Sequence, residues 1–283
     1  MEKYCLLSVS GRPLMFRLCV VCFFCVMMVT GLASGSQAQT VLGARQLAMG
    51  QAVTAVGDDS WAVFGNPALL AGTDNAVSFY GIRNYGFAEL TDQALAATVQ
   101  LRGVTLGGGL HTFGDDLYRE TRVRAGLGYA QAGVSAGLIV NYTHLHIKRY
   151  GSAGTPTIDA GLAWQLVPEL KLGARVLNLN RGSVGKAREE LARELAIGLA
   201  YELAERVKLA ADAVKDVRFP LAFRAGLEIP VWESLQLRGG ITTAPQTFSA
   251  GAGFATSLVS VNFVAQQHYA LGWSPGLDLT IFF

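Results

Sequence analysis

LAFRAGLEIPVWESLQLRGGIT, residues 221–242, decides how the chain folds. Leu221, Phe223, Ala225, Leu227 and Ile229 take every second place, and Ala222, Arg224, Gly226 and Glu228 fill the places between. After a turn over residues 230–234 the rhythm resumes, with Leu235, Leu237, Gly239 and Ile241 against Gln236, Arg238, Gly240 and Thr242. A period of two is the period of a β-strand with unlike faces. Working outward, the same alternation recurs over 122–129 and 158–166. Fourteen such segments are expected, over 75–84, 92–101, 103–113, 121–131, 133–147, 156–167, 170–180, 193–203, 206–215, 219–229, 235–244, 246–256, 258–267 and 276–283.

In a soluble sandwich the apolar face points to a core. Here the opposite face is small and polar throughout, with Gly107, Gly109, Gly126, Gly128, Gly137, Gly161, Gly173, Gly198, Gly226, Gly240, Gly251 and Gly253 on it. A lipid-facing outside and a crowded polar inside produce that arrangement. The fold class is therefore all-β, a transmembrane antiparallel up-and-down β-barrel of about 14 strands. Connections are expected to alternate, short at 102, 132, 167–169, 204–205, 230–234 and 257, and longer at 114–120, 148–155, 181–192 and 268–275.

Aromatic residues sort to the two ends of the strands. Tyr129, Trp164, Tyr201, Trp232, Phe254 and Phe283 lie by the short turns, and Phe113, Tyr142, Phe223, Phe248 and Trp273 by the long ones. Two belts of rings are what the two interfaces of a bilayer select. The chain closes on Leu277, Leu279, Ile281 and Phe283 in alternation, which resembles the C-terminal insertion signal read by the barrel-assembly machinery. One stretch opposes the pattern: residues 186–215 are rich in helix formers. The alternation of Leu195, Ile197, Leu199, Tyr201 and Leu203 favours strands over one long helix, with a helical turn at 186–192 expected inside an outer loop.

Residues 1–38 read as a secretory signal peptide. Lys3, Arg12 and Arg17 precede the apolar run 18–29, and Ser36-Gln37-Ala38 supplies the small-residue cleavage site. Met15 is an alternative start. All four cysteines, Cys5, Cys19, Cys22 and Cys25, fall in this segment, which leaves no thiol for a disulfide or metal in the mature chain. Without Glu2, Lys3, Arg12 and Arg17, the 23 basic and 21 acidic residues become 20 and 20. A neutral chain argues against nucleic acid as a partner. The localisation that follows is the bacterial outer membrane, with membrane lipid as partner.

Residues 39–74 lack alternation and are expected to form an N-terminal hatch or plug inside a barrel of residues 75–283. Within them Gly43-Ala44-Arg45, Met49-Gly50, Ala52, Thr54-Ala55-Val56, Asp58-Asp59 and Asn66-Pro67-Ala68 resemble the N-terminal signature of PorV/PorQ-type outer-membrane proteins, within the wider FadL-like group. The resemblance implies a 14-stranded barrel with a luminal hatch, whose motif residues are Gly43, Arg45, Met49, Gly50, Asp58, Asp59, Asn66, Pro67 and Ala68. It implies two roles. PorV-like members serve type IX protein secretion or surface attachment, with secretion proteins or cargo as partners. FadL-like members are passive channels for hydrophobic small molecules. The signature favours the first. A transporter is expected to show an apolar pocket against the hatch and a gap in the wall. A secretion component is expected to show a plugged polar lumen.

The inward face is expected to hold Arg122, Arg124, Lys171, Arg175, Lys208, Arg224 and Arg238 with Asp159, Glu194, Glu202, Asp212, Glu228 and Asp278. Near-equal numbers of the two signs read as ion pairs that hold the strands and orient a plug, since a selectivity lining carries one sign in excess. His144 and His146 share one strand face but have no carboxylate or cysteine at ligand spacing, so no metal is assigned. His111 faces inward with no serine motif beside it, so no enzyme activity and no cofactor are assigned.

Overall fold

The structure, a computed structural model, describes residues 41–57, 59–185, 189–203 and 207–283. The signal segment, its cysteines and Asp58 lie outside the described residues. The barrel strands are β1 (Ala76–Arg83), β2 (Thr91–Leu101), β3 (Val104–Gly114), β4 (Tyr118–Gln131), β5 (Val134–Ile147), β6 (Gly151–Val167) and β7 (Leu170–Val176), then β10 (Glu194–Leu203), β11 (Val207–Asp216), β12 (Ala222–Trp232), β13 (Leu235–Thr243), β14 (Gln246–Ala255), β15 (Val259–His268) and β16 (Gly272–Phe282). Between β7 and β10 a small two-stranded ribbon pairs β8 (Ser183–Val184) with β9 (Glu189–Glu190). The barrel strands form one closed antiparallel sheet in chain order, and β1 meets β16 from Ala76 opposite Phe282 to Ile82 opposite Gly276. Closure leaves no edge strand, which is how a sheet satisfies its backbone in lipid.

The two faces follow the sequence. Leu138, Val140, Leu162, Leu195, Ile197, Phe263, Leu277 and Ile281 are exposed on the outside. On the alternate positions Arg124, Asp159, Arg175, Asp212, Arg224 and Asp278 are buried. Tyr129, Trp164, Trp232, Phe254 and Phe283 are exposed at the short-turn end, and Tyr142, Phe248 and Trp273 at the other. Phe113 departs from the expected belt. It sits on the inward register of β3, two places from buried His111, and packs edge-on against Tyr118 with ring centroids 6.3 Å apart.

The helix formers of 194–216 lie in strands, with Glu194 opposite Asp216 and Leu203 opposite Val207. The ladder and the outward apolar row outweigh local propensity. Of the expected helical turn at 186–192, residues 186–188 lie outside the described residues, and Glu189–Glu190 is extended in the ribbon. The expected long connections at 114–120, 148–155 and 268–275 shrink to 115–117, 148–150 and 269–271, because the hairpins keep pairing past the end of the apolar pattern. The connection across 177–193 stays long, and it starts early. The expected strand over 170–180 ends at Val176, and Asn178 and Arg181 take positive φ of 54° and 55°.

Candidate functional site

Fourteen strands about 4.8 Å apart and tilted ~40° close into a cylinder roughly 28 Å across. Wall side chains alone do not fill that width. The N-terminal residues fill the remainder. Helix α1 (Ala44–Ala48) lies against β13–β16, a 3-10 helix over Ser60–Phe64 against β1–β4, and another over Pro67–Leu70 against β3–β6. Met49 and Thr54 face β12 and β10. Contact with strands all the way round places the segment in the lumen.

The motif residues build and fasten this segment. Gly43 takes φ 107° and its carbonyl accepts from Leu47 N at 3.0 Å, starting α1. Asp278 of β16 caps that helix, accepting from Ala44 N at 2.7 Å and from Asn262 at 2.7 Å. A carboxylate at a helix N-terminus meets unpaired N–H groups there. Arg45 forks onto Glu228 of β12 at 2.8 and 3.1 Å and reaches Asp59 at 3.1 Å. Asp59 caps the first 3-10 helix by accepting from Trp61 N at 3.1 Å, and also accepts from Gln46. Asn66 caps the second, accepting from Ala68 N at 3.1 Å. Its amide donates to Thr54 O at 2.7 Å and to the wall carbonyl of Leu162 at 3.2 Å. Pro67 opens that helix, where its missing N–H is harmless. Asp212 of β11 accepts from both Thr54 N and Oγ1, at 2.9 and 2.7 Å.

The inward glycines have a purpose that alternation does not reveal. A side chain at Gly137 would strike the carbonyl of Pro67, one at Gly173 that of Thr54, and one at Gly240 the amide of Gly50. At Gly128 a Cβ would come within 2.6 Å of Ala71 N. Real Cβ atoms do not approach backbone this closely, so these strands let luminal backbone rest directly on wall backbone.

The inward charges divide into two groups. Toward the short-turn end Arg238 donates to Glu228 at 2.6 Å and to Asn262 at 2.7 Å, joining Arg45. Lys208 stands 4.0 Å from Glu228, and Glu202 lines a vestibule there. Deeper, Arg124 pairs with Asp159, and Arg175 with Glu194, whose other oxygen is 3.6 Å from Arg224. Arg122 pairs with Glu120, and Lys171 is half-buried on β7. Pairing is what keeps such buried charges tolerable. The vestibule is a cavity of about 770 Å³ at the short-turn end, bounded by Arg45, Asp59, Trp61, Trp232, Arg238 and Thr280 among others.

A second part of the lumen is apolar. Trp61, Val63 and Phe64 form one contiguous buried cluster with Leu42, Leu47, Tyr80, Ile82, Ala94, Ala96 and Val264. Trp61 stands 5.7 Å edge-on to Tyr80 and 6.1 Å from Phe64. At one end of the cluster His111 meets Asp92 at 2.6 Å, and Asn84 donates to the same carboxylate at 2.6 Å. Asp92 was not among the expected luminal residues, although its place on β2 beside His111 marks it as inward. Nearby, Tyr85 N donates to Ser274 at 2.9 Å, and burial raises the Tyr85 phenol above its ordinary pKa. At the other end Ser60 and Ser78 hydroxyls are 2.5 Å apart, and Ser78 continues to Thr280 at 2.7 Å. His144 and His146 lie on the outward register at the long-connection rim. Among the described residues no three His, Cys, Asp or Glu gather for a metal.

Among the described residues the wall is interrupted between β6 and β7. β7 stops at Val176, opposite Ala160, while β6 continues to Gly151 paired with β5. Along that edge the loop substitutes for a strand. Leu179 N donates to Ile158 O at 2.8 Å, and the Asn180 side chain accepts from Ile158 N and donates to Pro156 O.

No known protein family and no curated protein matches this chain. Among solved structures it is similar to the CymD monoaromatic hydrocarbon channel, with TM-score 0.67 and 13% identity over 88% of this chain and 99% of that one. It is similar also to the toluene transporter TodX of P. putida, with TM-score 0.64 and 14% identity over 87% and 99%. A FadL homologue of Pseudomonas aeruginosa gives TM-score 0.57 and 13% identity over 90% and 100%. At these identities the likeness is one of fold alone.

Proposed function

We propose that this chain is a passive channel of FadL-like kind, in a bacterial outer membrane, for small apolar molecules. The observation that carries this reading is the apolar cluster between the luminal segment and the wall, in a barrel similar over nearly its whole length to a channel described as carrying monoaromatic hydrocarbons. Two further features accompany it. Arg124, Arg175, Arg224 and Arg238 each face a buried carboxylate, which leaves no free cationic excess to select ions. The ladder between β6 and β7 ends at Val176, a break in the wall of the kind expected of a channel.

This reverses the preference drawn from the N-terminal signature. Arg45, Asp59, Asn66 and Pro67 all serve to fold and fasten the luminal segment. A shared signature therefore speaks for a shared plug and is silent about secretion. The three-residue connections at 115–117, 148–150 and 269–271 also leave little surface for cargo.

The test is uptake of the hydrophobic dye 1-N-phenylnaphthylamine by a Gram-negative host whose lipopolysaccharide layer excludes it. Expression is expected to speed the fluorescence rise without raising sensitivity to large polar antibiotics. A rise no faster than in cells without the protein sinks the reading.

A further inference from the structure

The outward face of β4–β6 carries a group of donors that the lumen does not use. These are the longest strands of the barrel, with 14, 14 and 17 residues. Tyr142 stands exposed on β5 as one ring of the aromatic belt, and such rings sit at the headgroup boundary. Beyond it the outward register of β5 continues to His144 and His146. At a rise of ~3.3 Å per residue and a tilt of ~40° they lie about 5 and 10 Å above that ring, clear of the hydrocarbon. Arg119 of β4 stands opposite His146, and Thr121 opposite His144. On the other side Gly154 of β6 opposes His144 and Ser152 opposes His146. A side chain at Gly154 would strike the Tyr142 hydroxyl, so that hydroxyl lies across the strand at the level of His144. The outward positions of these three strands above Tyr142 hold no carboxylate. Inward on the same strand, Arg122 has Glu120 and Arg124 has Asp159. Arg119 reaches only Asp116 in the adjoining turn, at 2.8 Å, and that side chain is 88% exposed. So exposed a pair contributes little and leaves most of the guanidinium fork open.

We propose that this face binds a phosphorylated glycolipid of the outer leaflet, with Arg119 and His146 taking phosphate at the upper level and His144 with the Tyr142 hydroxyl at the lower. An arginine and a histidine set directly opposite one another gain nothing from each other, so the arrangement suits an anion that both can reach. A guanidinium matches phosphate oxygens two at a time, and imidazole and phenol add single donors beside it. Lys148 and Arg149, exposed in the turn above, strengthen the attraction. Below the donors Leu138 and Val140 are exposed on the same face of β5, which gives acyl chains a surface directly under their headgroup. That continuity favours a lipid over free phosphate. The far wall lacks the pattern. Next to the belt rings Phe248 and Trp273 stand Gln246, Gln267 and Leu271, which carry no charge. The lipid is therefore held on one side of the cylinder. This inference depends on the barrel and its orientation, and not on what passes through the lumen.

The test is retention of diphosphoryl lipid A by the full barrel in nonionic detergent, read by native mass spectrometry as lipid is titrated. Wild-type protein is expected to hold diphosphoryl lipid A about ten-fold more tightly than lipid A stripped of both phosphates. The R119Q/H144Q/H146Q variant is expected to lose that preference, and Q246A/Q267A on the far wall to keep it. Inorganic phosphate in large excess is expected to leave the complex intact. Equal retention of the two lipids by wild-type protein overturns the inference, and this arm needs no variant to fold. Undiminished preference in the triple variant, or its loss in Q246A/Q267A, moves the lipid off this face and overturns it too. Complete displacement by inorganic phosphate would show a site for the free ion in place of a lipid site.

Discussion

The segment inside this barrel meets its wall in two ways. Over Gly128, Gly137, Gly173 and Gly240 backbone lies on backbone, and hydrogen bonds cross the contact. Along Tyr80, Ile82, Ala94 and Ala96 side chain lies on side chain, and the contact is greasy. The first kind has one arrangement, because amides and carbonyls have fixed directions. The second tolerates many, because dispersion has none. One plug is thus held by two kinds of contact.

The comparison can be broken most forcefully at Gly240. Gly240→Leu drives a side chain into the Gly50 amide, where nothing flexible can give. A loss of at least about 3 kcal/mol is expected, seen as disappearance of the heat-modifiable folded band on a gel. Normal folding would show that the seat is looser than described. Trp61→Ala acts on the other contact. Deleting a buried ring costs roughly 3–5 kcal/mol locally, yet the closed ladder of the barrel does not depend on it. The folded band is expected to persist while dye enters faster; slower entry would contradict a channel that passes the apolar cluster. Asp278→Ala removes the cap of α1 and should cost about 1–2 kcal/mol. Protease is then expected to cut residues 41–57 within folded barrels, and resistance equal to wild type would show the cap to be dispensable. The smallest effect is expected for Ser78→Ala, about 1 kcal/mol or less by thermal melting, with dye entry slightly raised.

Much of the barrel was legible in the sequence, because lipid enforces the alternation that reveals it. Leu195, Ile197 and Leu199 point outward in a strand although their neighbourhood is rich in helix formers. The strand ends were less legible. Residues 118–120 and 151–155 pair beyond the apolar pattern, where no bilayer constrains the outward face. The luminal site was legible as a list and not as contacts. Glu228 and Arg45 were both singled out, but they are 183 residues apart in the chain and nothing local joins them. The glycines were placed inward, while their role depended on knowing which backbone would arrive opposite them. Asp92 was within reach, since its parity on β2 sets it beside His111.

β16 has two faces with separate duties. Outward it carries Leu277, Leu279, Ile281 and Phe283, and inward it carries Asp278, which fastens the start of α1. The head of the luminal segment is therefore secured by β16. Until β16 docks on β1, α1 lacks its cap, while Arg45, Thr54 and Asn66 find partners on β12, β11 and β6. One contact thus seals the cylinder and fixes the head of its plug together.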